Sequence, residues 1–507
     1  MSDTIREQIE RVLDEDPGRT VGVIVQLSPD ADDQAAGVEG ARRSQAGGAR
    51  EVLPEPARAN RSAAVLVGAT EGGVPRVRPP VPDLAGAQPA SPTLSALHRA
   101  NSAALDHLLA SDIARNAHEK RQDAVAAFWP SRSAYLELDR DEVALLASLP
   151  GLAAVYPNAR LTLPPITAAR DLPTAVLENS ASSWGVTTIG ALAVWGAYGA
   201  RGAGVTVGVL DSGVDASHPD LVGKVRKWAE FDKHGRPVPG SKPIDTKGHG
   251  THVCGTIAGG NASGQWIGVA PEADLAVARV LPDGTGTYAQ IHAGIMWAVE
   301  QSVDVLSMSL SAPLLDAETG AFTSLAPGVF TEAFRTCLRA GIPVVAAMGN
   351  RGDQTGATTG GDILAFGVGA TDHRDVVAGF SGGLSEVLTT STVIPPGQLP
   401  IILTKPDISA PGVAITSSYL DGTWKALNGT SMATPHVAGA IALLLSAVPS
   451  IRGSHAGVDR ALFLLDQITG SVDEMGEAGQ DSRYGFGRLN ILRAVALARP
   501  AVTKETP

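Results

Sequence analysis

Val205-Thr-Val-Gly-Val-Leu-Asp-Ser-Gly213 is an apolar, β-branched run that stops abruptly at an acid and a turn. A run of this length and composition predicts a strand buried on both faces. Similar runs recur at Leu275–Val280, Val303–Met308, Pro343–Ala347 and Ile363–Val368. Helical stretches such as Tyr288–Gln301 and Val329–Ala340 fall between them. The alternation predicts an α/β fold, a doubly wound, mainly parallel sheet with helices on both faces, spanning 184–499. Residues 500–507 form a tail.

Upstream the pattern changes. Thr20–Leu27 is strand-like, and a short helical pattern precedes it. His98–Glu119 carries Leu105, Leu108, Leu109 and Ile113 at helical spacing. Val125–Phe128 and Ala134–Leu138 predict strands, and Asp139 with Glu142 forms a capping-box pattern opening a helix to Ser148. Pro150-Gly151 ends that helix, and Leu152–Tyr156 predicts a last strand. The order β-α-β-β-α-β is that of an α+β ferredoxin-like domain, assigned to 1–165. Residues 30–95 are rich in Ala, Gly, Pro and Arg and interrupt it as an insertion. Leu161–Ser183 has no clear pattern, and 166–183 is expected to be a linker where processing occurs.

Composition removes several function classes. A net charge of −12 argues against nucleic acid as a partner. The longest apolar run, Ala438–Val448, has about half the residues of a membrane span, which needs roughly 20. It predicts a buried core helix. The polar start, Met-Ser-Asp-Thr-Ile-Arg-Glu, has no apolar segment after it, so the expectation is a cytoplasmic protein or export by another route. Two cysteines, Cys254 and Cys337, supply no disulfide framework.

In open α/β sheets functional groups gather at the carboxyl ends of strands. Asp211 follows one predicted strand and Asn350 follows another, so both project from one sheet edge. His249 opens a helical stretch in Gly-His-Gly-Thr-His, and Ser431 begins the apolar helix in Gly-Thr-Ser-Met-Ala. A serine hydroxyl needs a base within hydrogen-bond reach to become a nucleophile. His249 supplies one, Asp211 fixes its tautomer, and Asn350 with the Ser431 N–H offers donors to a tetrahedral oxyanion. Pro435 is expected in the first helical turn.

Together Asp211-Ser-Gly213, His249-Gly-Thr-His252, Gly349-Asn350 and Gly429-Thr-Ser-Met-Ala433 resemble the four motifs of the subtilisin-like serine proteases, the subtilases of peptidase family S8. The order Asp, His, Ser is that family's own and is not a deduction from spacing. The resemblance covers Trp184 to Ala498, and residues 97–157 are similar to the family's inhibitory prodomain. It implies a serine endopeptidase made as a self-inhibited, self-processing zymogen, whose partners are polypeptide substrates and its own prodomain. Ser309, Leu310 and Ser311 would form one edge of the substrate cleft, and Gly284, Thr285 and Gly286 the other. Ser311-Ala312 stands where relatives usually carry two glycines, which would disfavour large aromatic side chains before the scissile bond. No cofactor is required. Family members often bind Ca²⁺, but Gly259–Gly268 carries no acid, so no calcium site is assigned.

Competing readings are weaker. His249 and His252 lack the carboxylate of a zinc-protease helix motif, so metal ligation is not expected. His252 and His436 are expected to be structural. Gly379-Phe-Ser-Gly-Gly383 matches the esterase nucleophile elbow, but a glycine pair follows its serine instead of a helix. Cys254 and Cys337 are expected to be buried and inert. A catalytically silent or permanently inhibited relative, acting by binding, is the alternative function.

Overall fold

Val23, Ile24 and Val25 are fully buried in β1 (Val21–Leu27), a central strand of the first sheet. The structure, a computed structural model, describes residues 20–28, 93–121, 124–163, 167–168, 181–310, 328–389, 391, 394 and 396–504. The expected helical pattern before residue 20 and the insertion up to residue 92 lie outside the described residues.

The first sheet also contains β2 (Val125–Phe128), β3 (Ser133–Leu138) and β4 (Leu152–Pro157), in the order β2-β3-β1-β4. β1 pairs antiparallel with β3 and β4. This is the predicted ferredoxin-like order. Residues 93–95 belong not to the insertion but to a helix, α1 (Leu94–Leu109), capped by the Thr93 side chain. The single helix predicted over His98–Glu119 is in fact two. Ser111 accepts a hydrogen bond from Ala114 N, capping a second helix, α2 (Asp112–Lys120), and breaking the first. The capping box at Asp139 and Glu142 opens α3 (Arg140–Leu145), with both reciprocal bonds formed.

The stretch from Leu161, expected to be patternless, contributes two short strands, β5 (Arg160–Thr162) and β6 (Thr167–Ala168). Their partners lie in the large domain, so local sequence gives no signal for them.

The large sheet has seven parallel strands: β7 (Thr206–Asp211), β8 (Val225–Glu230), β9 (Asp274–Arg279), β11 (Val305–Met308), β12 (Val344–Ala347), β13 (Phe366–Thr371) and β16 (Ile408–Pro411). Their order is β16-β13-β12-β11-β7-β9-β8. Outside that sheet, β14 (Leu384–Leu388) pairs with β15 (Ile401–Lys405), and β17 (Ile415–Ser418) pairs with residues 424–427. β8, Val-Arg-Lys-Trp-Ala-Glu, escapes sequence detection because an edge strand need not be apolar. The strand expected at Ile363–Val368 begins later, at Phe366, because Asp362 holds the preceding turn by accepting from Leu364 N at 2.8 Å.

Alternate residues divide the sheet between two cores. Leu210, Ala276, Leu306 and Ala346 face helices α5 (Tyr288–Glu300) and α6 (Thr331–Arg339), and that core is continuous with the N-terminal domain's. Val209, Val277, Val305 and Val345 face α4 (His249–Ala258) and α7 (Thr430–Ala447). The architecture is the expected doubly wound α/β sheet. α7, the one described helix long and apolar enough to cross a membrane, is 89% buried in this core.

The N-terminal domain docks on α5 and α6. Tyr288 N donates to Ala159 O at 3.1 Å and Ala289 N to Asn158 Oδ1 at 2.9 Å, so residues 158–159 satisfy N–H groups in the first turn of α5. Arg132 pairs with Glu332 at 2.5 Å, with side chains only 6% and 4% exposed.

Candidate active site

Asp211 ends β7 at its carboxyl edge, between parallel neighbours β9 and β11 that leave it no exposure. His249 is the first residue of α4. It follows Gly248, whose φ of 76° and contact with the Tyr419 ring suit glycine alone: an added Cβ would lie 2.5 Å from that ring. His249 Nδ1 lies 2.7 Å from Asp211 Oδ1, and Ser212 N donates to the same oxygen at 2.7 Å. A carboxylate only accepts, so Nδ1 carries the ring proton and Nε2 is the basic nitrogen. Nε2 is buried and has no hydrogen-bond partner among the described residues.

The strand β18 (Trp424–Asn428) leads through Gly429 into α7, whose second residue is Ser431. Pro435 is the sixth residue of α7, not in the first turn as expected. There its missing N–H deprives the Ser431 carbonyl of its helical donor. Ser309 Oγ replaces that donor at 2.9 Å. Ser431 Oγ in turn donates to Ser309 O at 3.2 Å. Asn350 Oδ1 accepts from Thr430 N at 2.8 Å and Thr430 Oγ1 at 2.9 Å. Those bonds turn the Asn350 amide nitrogen towards Gly429, where an added Cβ would stand 3.1 Å from it. Asp211 thus contacts His249 at the carboxyl end of β7, and Asn350, beyond the carboxyl end of β12, is tied to Thr430 next to Ser431.

Beside them runs β10 (Thr285–Thr287), antiparallel to β5: Thr285 opposes Thr162, Gly286 opposes Leu161 and Thr287 opposes Arg160. Leu163 N extends the pairing to Gly284 O at 2.8 Å. Gly286 permits this edge, since a Cβ there would lie 2.2 Å from Val280 O. On the other side β6 pairs with β18, setting Thr167 opposite Asn428 just before the Ser431 turn. Residues 160–163 therefore pair along β10, and residues 167–168 pair with the strand that leads to Ser431. Ser309 and Leu310 are fully buried, and Leu310 O accepts from Thr359 Oγ1 at 2.6 Å. Ser311 and Ala312, with the expectation about aromatic side chains, lie outside the described residues.

A model of the Subtilase family matches residues 202–487, which contain all four motifs. The chain belongs to the subtilase family. It is 35% identical to subtilisin DY of Bacillus licheniformis over 303 residues, 58% of this chain and 92% of that protein. It is 40% identical to subtilisin E of Bacillus subtilis over 316 residues, 61% of this chain and 70% of the relative. A match at 38% identity to an intracellular serine protease of Paenibacillus polymyxa covers 51% of this chain and 72% of that one. This subtilase is a serine endopeptidase.

The remaining predicted residues are structural in their contacts. His252 Nε2 lies 2.9 Å from Ile415 O and 3.0 Å from Lys425 O, and burial lowers its pKa to about 3. His436 Nδ1 lies 2.8 Å from Met432 O, and burial lowers its pKa to about 4. Cys254 and Cys337 are buried, and desolvation pushes both thiols up, Cys337 to about 12. Ser381, in the false elbow, is fully buried and accepts from Ala370 N at 3.0 Å. Among the described residues no cluster of His, Cys, Asp or Glu is arranged to hold a metal ion.

Sequence reading missed Ser212, Asp245 and Thr251, which link the Asp211 turn to the first turn of α4. The only local signal is an acid four residues before His249 in Asp-Thr-Lys-Gly.

Proposed function

We propose that Ser431 is the nucleophile of this endopeptidase, His249 its general base and acid, Asp211 the group that orients His249, and Asn350 an oxyanion donor. The observation carrying this reading is the 2.7 Å Asp211–His249 contact, which leaves Nε2 as the basic nitrogen of the ring. Ser431 Oγ turns from the Ser309 carbonyl to Nε2, loses its proton there and attacks the peptide carbonyl carbon. The oxyanion accepts from Ser431 N–H and the Asn350 amide, helped by the N-terminal dipole of α7. His249 then protonates the departing amine, leaving an acyl-enzyme. Water loses a proton to His249 and attacks the ester, and His249 returns that proton to Ser431 Oγ as the acid leaves.

The segment 160–168 supports a second part of the proposal: the N-terminal domain is an inhibitory prodomain. Strand addition at β10 is how an extended peptide would bind, and here the chain's own residues occupy that edge. Ser309 and Leu310 would line the opposite edge. Release would follow a cut within residues 159–183.

Intact mass of freshly purified wild type beside Ser431→Ala tests the proposal. Wild type is expected to be cut within 159–183 and the variant to stay whole. Identical cutting of both would remove Ser431 from the reaction. Uncut wild type with full activity on peptides would remove the inhibitory role of the segment.

A further inference from the structure

Asp245 is 92% buried, and its carboxylate pairs with no Lys or Arg among the described residues. It is held instead by five neutral donors. Oδ1 accepts from Ser212 Oγ at 3.0 Å, Lys247 N at 2.9 Å and Gly248 N at 3.0 Å. Oδ2 accepts from Thr251 N at 2.9 Å and Thr251 Oγ1 at 2.7 Å. These donors come from two elements. Lys247, Gly248 and Thr251 belong to the turn and first turn of α4, where N–H groups lack helical partners. Ser212 belongs to the end of β7, next to Asp211.

Ser212 completes the link. Its Oγ donates to Asp245 and accepts from Gly250 N at 3.0 Å, while its N–H donates to Asp211 Oδ1 at 2.7 Å. Thr251 Oγ1 accepts from Asp215 N at 2.9 Å, a second tie from α4 to the chain after β7. The two backbones meet so closely that a Cβ on Gly213 would fall 1.9 Å from Ile244 O. α4 has no side-chain cap on Gly248. A buried negative charge at its N-terminus takes that part and complements the helix dipole.

We infer that Asp245 is a positioning residue: through Ser212 and the first turn of α4 it sets the separation of Asp211 and His249. Its carboxylate hydrogen-bonds to Ser212, Lys247, Gly248 and Thr251 and to none of Asp211, His249 and Ser431. Its effect is geometric, and displacement of about 1 Å in such an arrangement can cost about 10²-fold in rate.

Asp245→Asn tests this with almost no change in shape. Every group around the carboxylate is a donor, so either orientation of the amide sets an N–H against another donor. The first readout, on the full-length chain kept whole by Ser431→Ala, is the low-field proton resonance of His249 Nδ1–H against Asp211. It is expected to move upfield or broaden as that bond lengthens. The second is kcat per Ser431 titrated with a fluorophosphonate, expected to fall ~10- to 100-fold with KM within about twofold. Ser212→Ala removes the bridge but keeps the helix cap, and is expected to shift both readouts the same way by less. A low-field resonance and a kcat per site both unchanged in Asp245→Asn would overturn the inference, even if the melting temperature fell. If Asp245→Asn does not fold, unchanged values in Ser212→Ala would overturn it equally.

Discussion

Ser309 holds Ser431 from both sides: its hydroxyl donates to the Ser431 carbonyl at 2.9 Å, and its carbonyl accepts from Ser431 Oγ at 3.2 Å. The first bond exists because Pro435, one turn on, has no N–H to give. Ser309→Ala would leave a buried carbonyl unsatisfied, at a cost of about 1–3 kcal/mol. A lower melting temperature and a loss of ~10-fold in kcat per titrated site are expected. Wild-type values in both measurements would show that the carbonyl finds another donor.

Asn350 is held by Thr430 through its oxygen, which turns its nitrogen towards Gly429, next to the Ser431 turn. Asn350→Leu is expected to lower kcat by about 10²–10³-fold with little change in KM, a magnitude recorded for one such donor in a subtilisin itself. A change confined to KM would instead mean that Asn350 contacts substrate in the ground state.

Leu161 is fully buried where the chain's own segment meets Gly286. Leu161→Asp puts a carboxylate into an apolar site and should free that segment from the cleft. The rate of Ser431 labelling by a fluorophosphonate in chain just refolded, before it is cut, should rise ~10-fold or more, each tenfold corresponding to about 1.4 kcal/mol. An unchanged rate would mean that β5 does not limit access.

Glu332 accepts from Arg132 of the N-terminal domain at 2.5 Å and from Arg335 of its own helix at 3.1 Å. Glu332→Ala leaves two guanidinium groups without their acid, one nearly fully buried. Arg132→Ala leaves the Glu332–Arg335 pair intact. The first should therefore weaken docking more, by about 3–5 kcal/mol as for a broken buried pair. Protease sensitivity of the junction between the domains would rank the two variants, and the reverse order would contradict this account.

His252, His292 and His436 are buried and their pKa values are lowered by desolvation from 6.5 to about 3, 3 and 4. Below about pH 6.5 the unfolded chain binds protons that the folded chain refuses. Stability is therefore full above that pH and falls as pH drops towards 4, by up to about 1.4 kcal/mol per unit for each histidine. His292 lies at the domain interface, stacked on Phe128 and 3.2 Å from Ser131 Oγ. His292→Phe should flatten the acid fall of the melting temperature between pH 6 and 4. An equally steep fall would assign the protons elsewhere.

Much of this was legible in the chain because its signals are local. Val205–Leu210 is a strand in any context that can bury it, and Asp211 is tied to its end by covalent geometry. The capping box at Asp139 and Glu142 is complete within four residues. β8 and β6 were not legible, since their strand character comes from partners distant in sequence. The same holds for the break at Ser111, where a cap overrode continuous helical spacing.

By itself, then, the sequence determined the alternating α/β pattern, the ferredoxin-like order and the four motifs, because apolar periodicity and turn chemistry act over neighbouring residues. Only the tertiary structure decided that residues 160–162 pair with β10 and 167–168 with β18, that Ser309 takes over for the missing Pro435 N–H, and that Asp245 ties β7 to α4. Those contacts join groups separated by tens to hundreds of residues. A hydrogen bond at such separation depends on where two backbones are brought by the whole core, and no local pattern encodes that.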